Sequence, residues 1–271
     1  MQFTVCSANL RNANADDGDD SWPHRQQLLA QTLHALTPDI IGVQECMDAQ
    51  LDWLRGTFAG YTIMPGLPYG NHGPYEYAAL ALRNDLFTVT GHGNCFLSET
   101  PHVQSRSWDC NWTRVANWVT VIHIPSGQAL CICNTHLDHL GAQSRTESIH
   151  VIASQLAPLA HLPTIIMGDF NVAPASAAHA ALRGYGFVDS WQAAGHADGP
   201  GVMTFHGFKG DRWPSISGEP DDARIDWICS RDPHQLLSVV AAQIDKSLDI
   251  FGRYPSDHYF VTAQFALTAK K

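Results

Sequence analysis

Apolar runs in this chain are strand-sized, and one after another they stop at an amide, an acid or a histidine. The run from Phe3 ends on Asn9, and Ile40-Ile41-Gly42-Val43 leads into Gln44-Glu45. Leu130 to Thr135 includes Asn134 and leads to His136, and Thr164 to Met167 precedes Gly168-Asp169-Phe170-Asn171. Asp226 is set between Ile225 and Trp227-Ile228, and Ser256-Asp257-His258 introduces the strand Tyr259 to Phe265. One such end is an ordinary turn or cap; Glu45 alone could cap the helix starting near Asp48. Six in one chain imply converging strand ends, which build a rigid polar pocket on the rim of a sheet. Carboxylates and amides without a Cys partner are hard oxygen donors, suited to Mg²⁺ or Mn²⁺ rather than zinc.

Around these ends, Ser21-Trp22-Pro23 opens a helix with Ser21 as cap and Leu28, Leu29, Leu33 and Leu36 as its stripe; Pro38 stops it. Asp48 to Phe58 and Arg145 to Leu156 read as helices. Tyr77 to Leu82, Trp118 to Ile124, Ala223 to Cys229 and Leu236 to Ala242 read as strands. Strands outnumber helices, and the helices fall in two groups. That predicts an α/β chain folded as a four-layer αββα sandwich, with two mixed β-sheets face to face and helices outside. No repeat, low-complexity tract or linker divides residues 1–271, so a single domain is expected.

The chain is 45% apolar with 8 Trp, 11 Phe and 7 Tyr, which fills a core and excludes a disordered chain. No apolar run approaches the ~20 residues of a membrane span, and Met1-Gln2-Phe3-Thr4-Val5 lacks the pattern of a signal peptide. Seven Cys without a C-x-x-C pair read as buried free thiols in a reducing compartment, the cytoplasm, with a Cys95–Cys110 bridge as the alternative. Sixteen Lys+Arg against 26 Asp+Glu give a net charge of −10, which argues against a tight, sequence-independent grip on DNA.

At the strand-end residues the sequence resembles the endonuclease/exonuclease/phosphatase superfamily, the fold of deoxyribonuclease I and exonuclease III. The resemblance runs from Phe3 to Phe265 in the family's motif order. Asn9 matches the first-strand Asn, Glu45 the Glu of Q-E, and His136 the His of N-T-H. Asp169 and Asn171 match G-D-F-N, Asp226 matches R-I-D-x-I, and Asp257 and His258 match the terminal S-D-H. Glu76 resembles the carboxylate that orients the N-T-H histidine, and Arg114 a phosphate-contacting Arg. The resemblance implies phosphate-ester hydrolysis by metal-assisted attack of water. Glu45, with Asn9 and Asp257, is then expected to hold Mg²⁺ or Mn²⁺. Asp169 deprotonates the water and Asn171 fixes the phosphate and that Asp. His258 is held by Asp226 and His136 by Glu76, both protonated near neutrality, with the identity of the general acid open.

Further stretches are similar to a bacterial branch related to deadenylase-like proteins, and one sugar-phosphate phosphatase carries a similar domain. They are Asp17 to Arg25, Leu97 to Pro101, Trp108, His139 and Thr204 to Phe208. On that likeness Arg25, Trp108, His139 and His206 are expected at the substrate; the polar neighbours of Trp108 (Arg106, Ser107, Asp109) suit a lid, and Trp22 reads as a helix-entry staple. The loop with Asp16, Asp17, Asp19 and Asp20 is expected at the pocket rim. Arginines stand singly and no DNA-gripping insertion is evident, which favours a small sugar- or lipid-type phosphate ester. A nuclease acting on RNA or DNA is the alternative; a monomer with no membrane partner is expected. A binding module that lost catalysis is disfavoured by the intact Glu45, Asp169, Asn171, Asp257 and His258.

Overall fold

The computed structural model describes residues 1–213 and 223–269. Strands are numbered in chain order. One six-stranded sheet runs Leu237–Asp245 (β14), Phe260–Leu267 (β15), Gln2–Asn9 (β1), Ile40–Gln44 (β2), Leu80–Arg83 (β7), Tyr61–Met64 (β4). The other runs Val188–Asp189 (β12), Asp226–Arg231 (β13), Thr164–Asp169 (β11), Gln128–His136 (β10), Val115–His123 (β9), Phe87–Phe96 (β8). Both are mixed: β1–β2 and β10–β11 are parallel, β1–β15 and β9–β10 antiparallel. Cys46–Met47 (β3), Pro68–Tyr69 (β5) and Glu76–Tyr77 (β6) form a small third sheet. The helices include Trp22–Leu36 (α1), Asp48–Thr57 (α2), Ala142–Leu156 (α3) and Ala177–Gly184 (α4).

Successive strand residues face opposite ways, so each sheet divides into two apolar sets. Phe3, Val5, Ile40, Leu130, Ile132, Ile165, Met167 and Ile228 meet between the sheets. Cys6, Ala8, Ile41 and Val43 face outward onto Leu29, Leu33, Leu51 and Leu54 of α1 and α2. Cys131, Cys133, Ile166 and Trp227 cover Ile149, Ile152, Leu156 and Leu182 of α3 and α4. Three apolar layers thus separate four structural ones, as the αββα reading expects.

The inward-facing set does not stay apolar. After Phe3 and Val5 come Ser7 and Asn9; after Ile40 comes Gln44; after Leu130 and Ile132 come Asn134 and His136; after Met167 comes Asp169. At the junction Gln44 Nε2 donates to Asn134 Oδ1 at 2.7 Å, and Asn134 Nδ2 donates to the carbonyls of Val43 and Ala79 at 2.8 Å each. The NH2 groups of both buried amides are thereby satisfied across the two sheets, while Gln44 Oε1 has no partner among the described residues. Beyond that layer, β10 and β11 place Thr135 opposite Gly168 and His136 opposite Asp169. Gly168 has φ +153°, and a Cβ there would collide with the Thr135 carbonyl.

Several local expectations change. Tyr77 to Leu82 is two strands, because Ala78 and Ala79 carry the chain from the small sheet to the large one. Ser21 Oγ donates to the Gly18 carbonyl instead of capping α1. All seven cysteines are free, six buried and Cys110 half-buried, so the Cys95–Cys110 alternative falls away. Trp22 is the first residue of α1 and is buried edge-on against Trp53 of α2, so it packs between helices instead of stapling the entry of its own.

Candidate active site

The polar end of the inter-sheet face opens into a cleft of about 730 Å³. Asn9, 1% exposed at the end of β1, donates from Nδ2 to Glu45 Oε1 at 3.1 Å and to Asp169 Oδ2 at 3.0 Å, tying the two sheets together. Asp169 Oδ1 accepts the Asn171 backbone amide at 2.9 Å, and the Asn171 side chain donates to the Leu137 carbonyl. His258 Nδ1 lies 2.9 Å from Asp226 Oδ2, and its Nε2 lies 3.8 Å from Asp169 Oδ2. Asp257 lines the cleft, 3.6 Å from Arg11.

Electrostatics separates the two histidines. Burial works against charge on His258, but Asp226, by charge and hydrogen bond, with Asp169 and Asp257, lifts its pKa to about 10. His136 is held well below the usual range by burial and by the positive charge of Arg114. So His258 is an imidazolium near neutrality and His136 is neutral, which corrects the expectation that both carry a proton charge.

The expected Glu76–His136 pair is also replaced. Tyr69, opposite Glu76 in the small sheet, interposes its hydroxyl, 3.0 Å from His136 Nδ1, while Arg114 Nη1 lies 3.1 Å from the same nitrogen. Arginine only donates, so His136 Nδ1 accepts and its proton resides on Nε2, 3.5 Å from Asp169 Oδ2. Arg114 Nη2 faces His139 Nδ1 at 3.4 Å, which sets His139 the same way. Buried Arg114 therefore fixes the tautomers of both rings, and its Nε has no partner among the described residues.

Glu45, Glu76, Arg114, His136, His139, Asp169, Asn171, Asp257 and His258 line the cleft, with Asn9 and Asp226 just beneath. Arg25, Trp108 and His206 do not. Arg25 is 3% exposed and spends its guanidinium on the carbonyls of Leu10, Arg11, Asp20 and Pro255, clamping loops together. His206 is buried between Tyr254 and Tyr259, ring centroids 4.3 and 4.1 Å away. Trp108 is half-buried at a positive φ outside the cleft; the tryptophan on the rim is Trp112. Of the acidic loop, Asp17 alone approaches the cleft residues by an ion pair, through Arg11 at 2.8 Å. Tyr69, Arg11 and Trp112 were not singled out by the motifs, because nothing in their neighbours' spacing distinguishes them.

The residues fit a divalent cation. Glu45, His136 and Asp169 present ligand-type atoms within 4.8 Å of one another. Burial, then the Asp226 charge, pushes Asp169 up to about 7, and burial with Glu45 likewise raises Asp257, so the neighbouring His258 and Arg11 leave both carboxylates under-compensated. With the His136 Nε2 protonated, the remaining donors are oxygens, the set preferred by hard cations.

A family model described as the endonuclease/exonuclease/phosphatase family matches residues 6–258. The chain belongs to the endonuclease/exonuclease/phosphatase family. It is accordingly a metal-dependent hydrolase of phosphate ester bonds. A Bacteroides thetaiotaomicron mannosyl-6-phosphatase is 29% identical, with TM-score 0.83 over 98% of this chain and 100% of that one. An endonuclease/exonuclease/phosphatase family protein of the same organism is 28% identical, with TM-score 0.84 over 98% and 97%. The human Nocturnin catalytic domain, solved with sulfate, is 21% identical with TM-score 0.76 over 98% and 95%, and shares the fold. No curated protein matches the chain. No helix among the described residues is long and apolar enough to cross a membrane.

Proposed function

We propose that this member of the endonuclease/exonuclease/phosphatase family hydrolyses a small phosphate monoester with Mg²⁺ or Mn²⁺. The observation that carries this reading is the supply of positive charge. Among the described residues lining the cleft, Arg11 and Arg114 are the lysine or arginine side chains, and Arg11 is committed to Asp17 and Asp257. That leaves Arg114 and the His258 imidazolium for one phosphoryl group, and nothing for a trailing polyanion. The likeness to a mannosyl-6-phosphatase points the same way.

Glu45 would hold the cation, with Asn9 and Asp257 beside it; when bound, it supplies neutralisation of phosphoryl oxygen charge. Asp169, steadied by Asn9 and by the Asn171 amide, takes the proton of the attacking water. Its pKa of about 7 is poised for that transfer. His258, held at Nδ1 by Asp226, presents Nε2–H to the developing negative charge, and His136 Nε2–H with Arg114 Nε adds neutral and charged donors. The test is kcat/KM on sugar, glycerol and lipid-type monophosphates against RNA and DNA oligonucleotides at equal salt. The expected result is at least about tenfold preference for a monoester, the loss of 1.4 kcal/mol of transition-state binding on the polyanion. Processive shortening of poly(A), or cleavage of abasic duplex DNA at a higher kcat/KM, would overturn it.

A further inference from the structure

Opposite in character to the charged end of the cleft is a second part of its wall. Trp112 and Leu140 line it, yet they are 45% and 63% exposed and belong to none of the apolar cores. A lone exposed Leu needs no explanation. Here two apolar side chains from separate loops are fixed by one buried carboxylate. Asp138, 1% exposed, accepts the amides of Asn111 and Trp112 on Oδ1 at 3.2 and 3.3 Å. On Oδ2 it accepts those of Leu140 and Gly141 at 3.1 and 2.7 Å. Asn71 adds a second brace, donating to the Asn111 carbonyl and accepting the Thr113 amide. The backbone of this rim is therefore rigid while its apolar side chains face the cleft, an arrangement that reduces the ordering cost of binding.

The wall is continuous with the phosphate end, because His139, next to Leu140 in sequence, faces Arg114. Its lining holds no lysine or arginine; Arg106 and Arg145, outside that lining, are engaged by the Asn111 and Asp138 carbonyls. We infer that Trp112 and Leu140 form the platform for the alcohol part of the substrate, and that this part is a ring with an apolar face, such as a pyranose, bearing no second phosphate. The C–H face of such a ring stacks on an indole, while its hydroxyls remain free for His139 and water. This inference rests on the small-monoester reading.

The test compares a hexopyranose 6-phosphate with its reduced, acyclic hexitol phosphate, which keeps the phosphate and loses the ring face. An oligonucleotide is run in parallel. Wild-type protein is expected to prefer the pyranose. Trp112→Ala lowers kcat/KM for the pyranose by about fivefold or more beyond its effect on the hexitol, mainly through KM. Trp112→Phe restores most of the preference, and Leu140→Ala shifts it the same way by less. Both sites are surface-exposed, so neither change threatens the fold. Equal losses on the two monoesters, or no wild-type preference between them, would overturn the platform while leaving the monoester reading intact. A wild-type preference for the oligonucleotide over both monoesters would overturn the two together.

Discussion

The hydroxyl of Tyr69 stands between two residues that the motifs name, accepting the Glu45 amide at 3.1 Å and contacting His136 Nδ1 at 3.0 Å. The Glu45 N–H donates to it, so its own proton is shared between the Glu76 carboxyl and His136 Nδ1, and pointing it at His136 agrees with the tautomer that Arg114 imposes. Tyr69→Phe keeps the buried ring and removes both bonds. We expect kcat to fall by about tenfold with KM nearly unchanged, the scale of a lost supporting bond behind a reacting group. Steady-state kinetics on the best monoester check this, and a kcat within twofold of wild type would refute it. Tyr69 was invisible in the sequence because it sits on a two-residue strand with no periodicity to read. Trp108 and Trp112 posed the converse problem. Polar neighbours surround both, and the turn geometry of the loop, not composition, decides which ring reaches the rim.

At the scale of elements, the site exists because strands from two sheets switch from apolar to polar at the same end. That switch was legible: Asn9, Glu45, His136, Asp169, Asp226 and His258 follow or precede runs that could only be buried strands. Among the elements that escaped, besides α4 and the two-residue strands, were β8, in which Thr88, Thr90, His92 and Asn94 alternate with residues that include Gly91 and Gly93, and the short β4. Both are edge strands, half-solvated and held by backbone pairing, so they carry little hydrophobic signal. The parallel β10–β11 pair sets the His136–Asp169 juxtaposition, and its closeness depends on Gly168. Gly168→Ala forces a Cβ against the Thr135 carbonyl at a backbone angle that disfavours side chains. It should cost about 1–3 kcal/mol of stability and lower activity further by displacing Asp169. Urea unfolding measures the first; a variant as stable as wild type would contradict the close approach.

For the molecule as a whole, the charged forms of Asp169, Glu76 and Asp257, disfavoured by burial, act against folding unless a cation compensates them. Binding to the folded state alone stabilises by about 2.7 kcal/mol at a hundredfold excess over Kd, so removing the cation from a chain of this size should lower Tm by about 5 °C. Asp169 and Glu76 sharpen the expectation. Burial, then Asp226 for the first and Glu45 for the second, raises each to about 7 in the folded chain. Groups raised on folding contribute stability that is present at low pH and lost as pH rises through the folded value. The chelated protein should therefore melt lower at pH 8 than at pH 6, with a smaller difference in Mg²⁺; differential scanning fluorimetry with EDTA reads both, and identical melting with and without EDTA would discount the cluster. There is also a consequence in time. Ser256 Oγ donates to the Asn9 carbonyl across 247 residues of chain, and β1 lies between β2 and β15. As a ribosome extrudes the chain, Glu45, His136 and Asp169 emerge long before His258 and the strand that covers β1. Hydrolysis thus waits for His258 and β15, and until they emerge one edge of β1 is bare, open to a chaperone or to a neighbouring nascent chain.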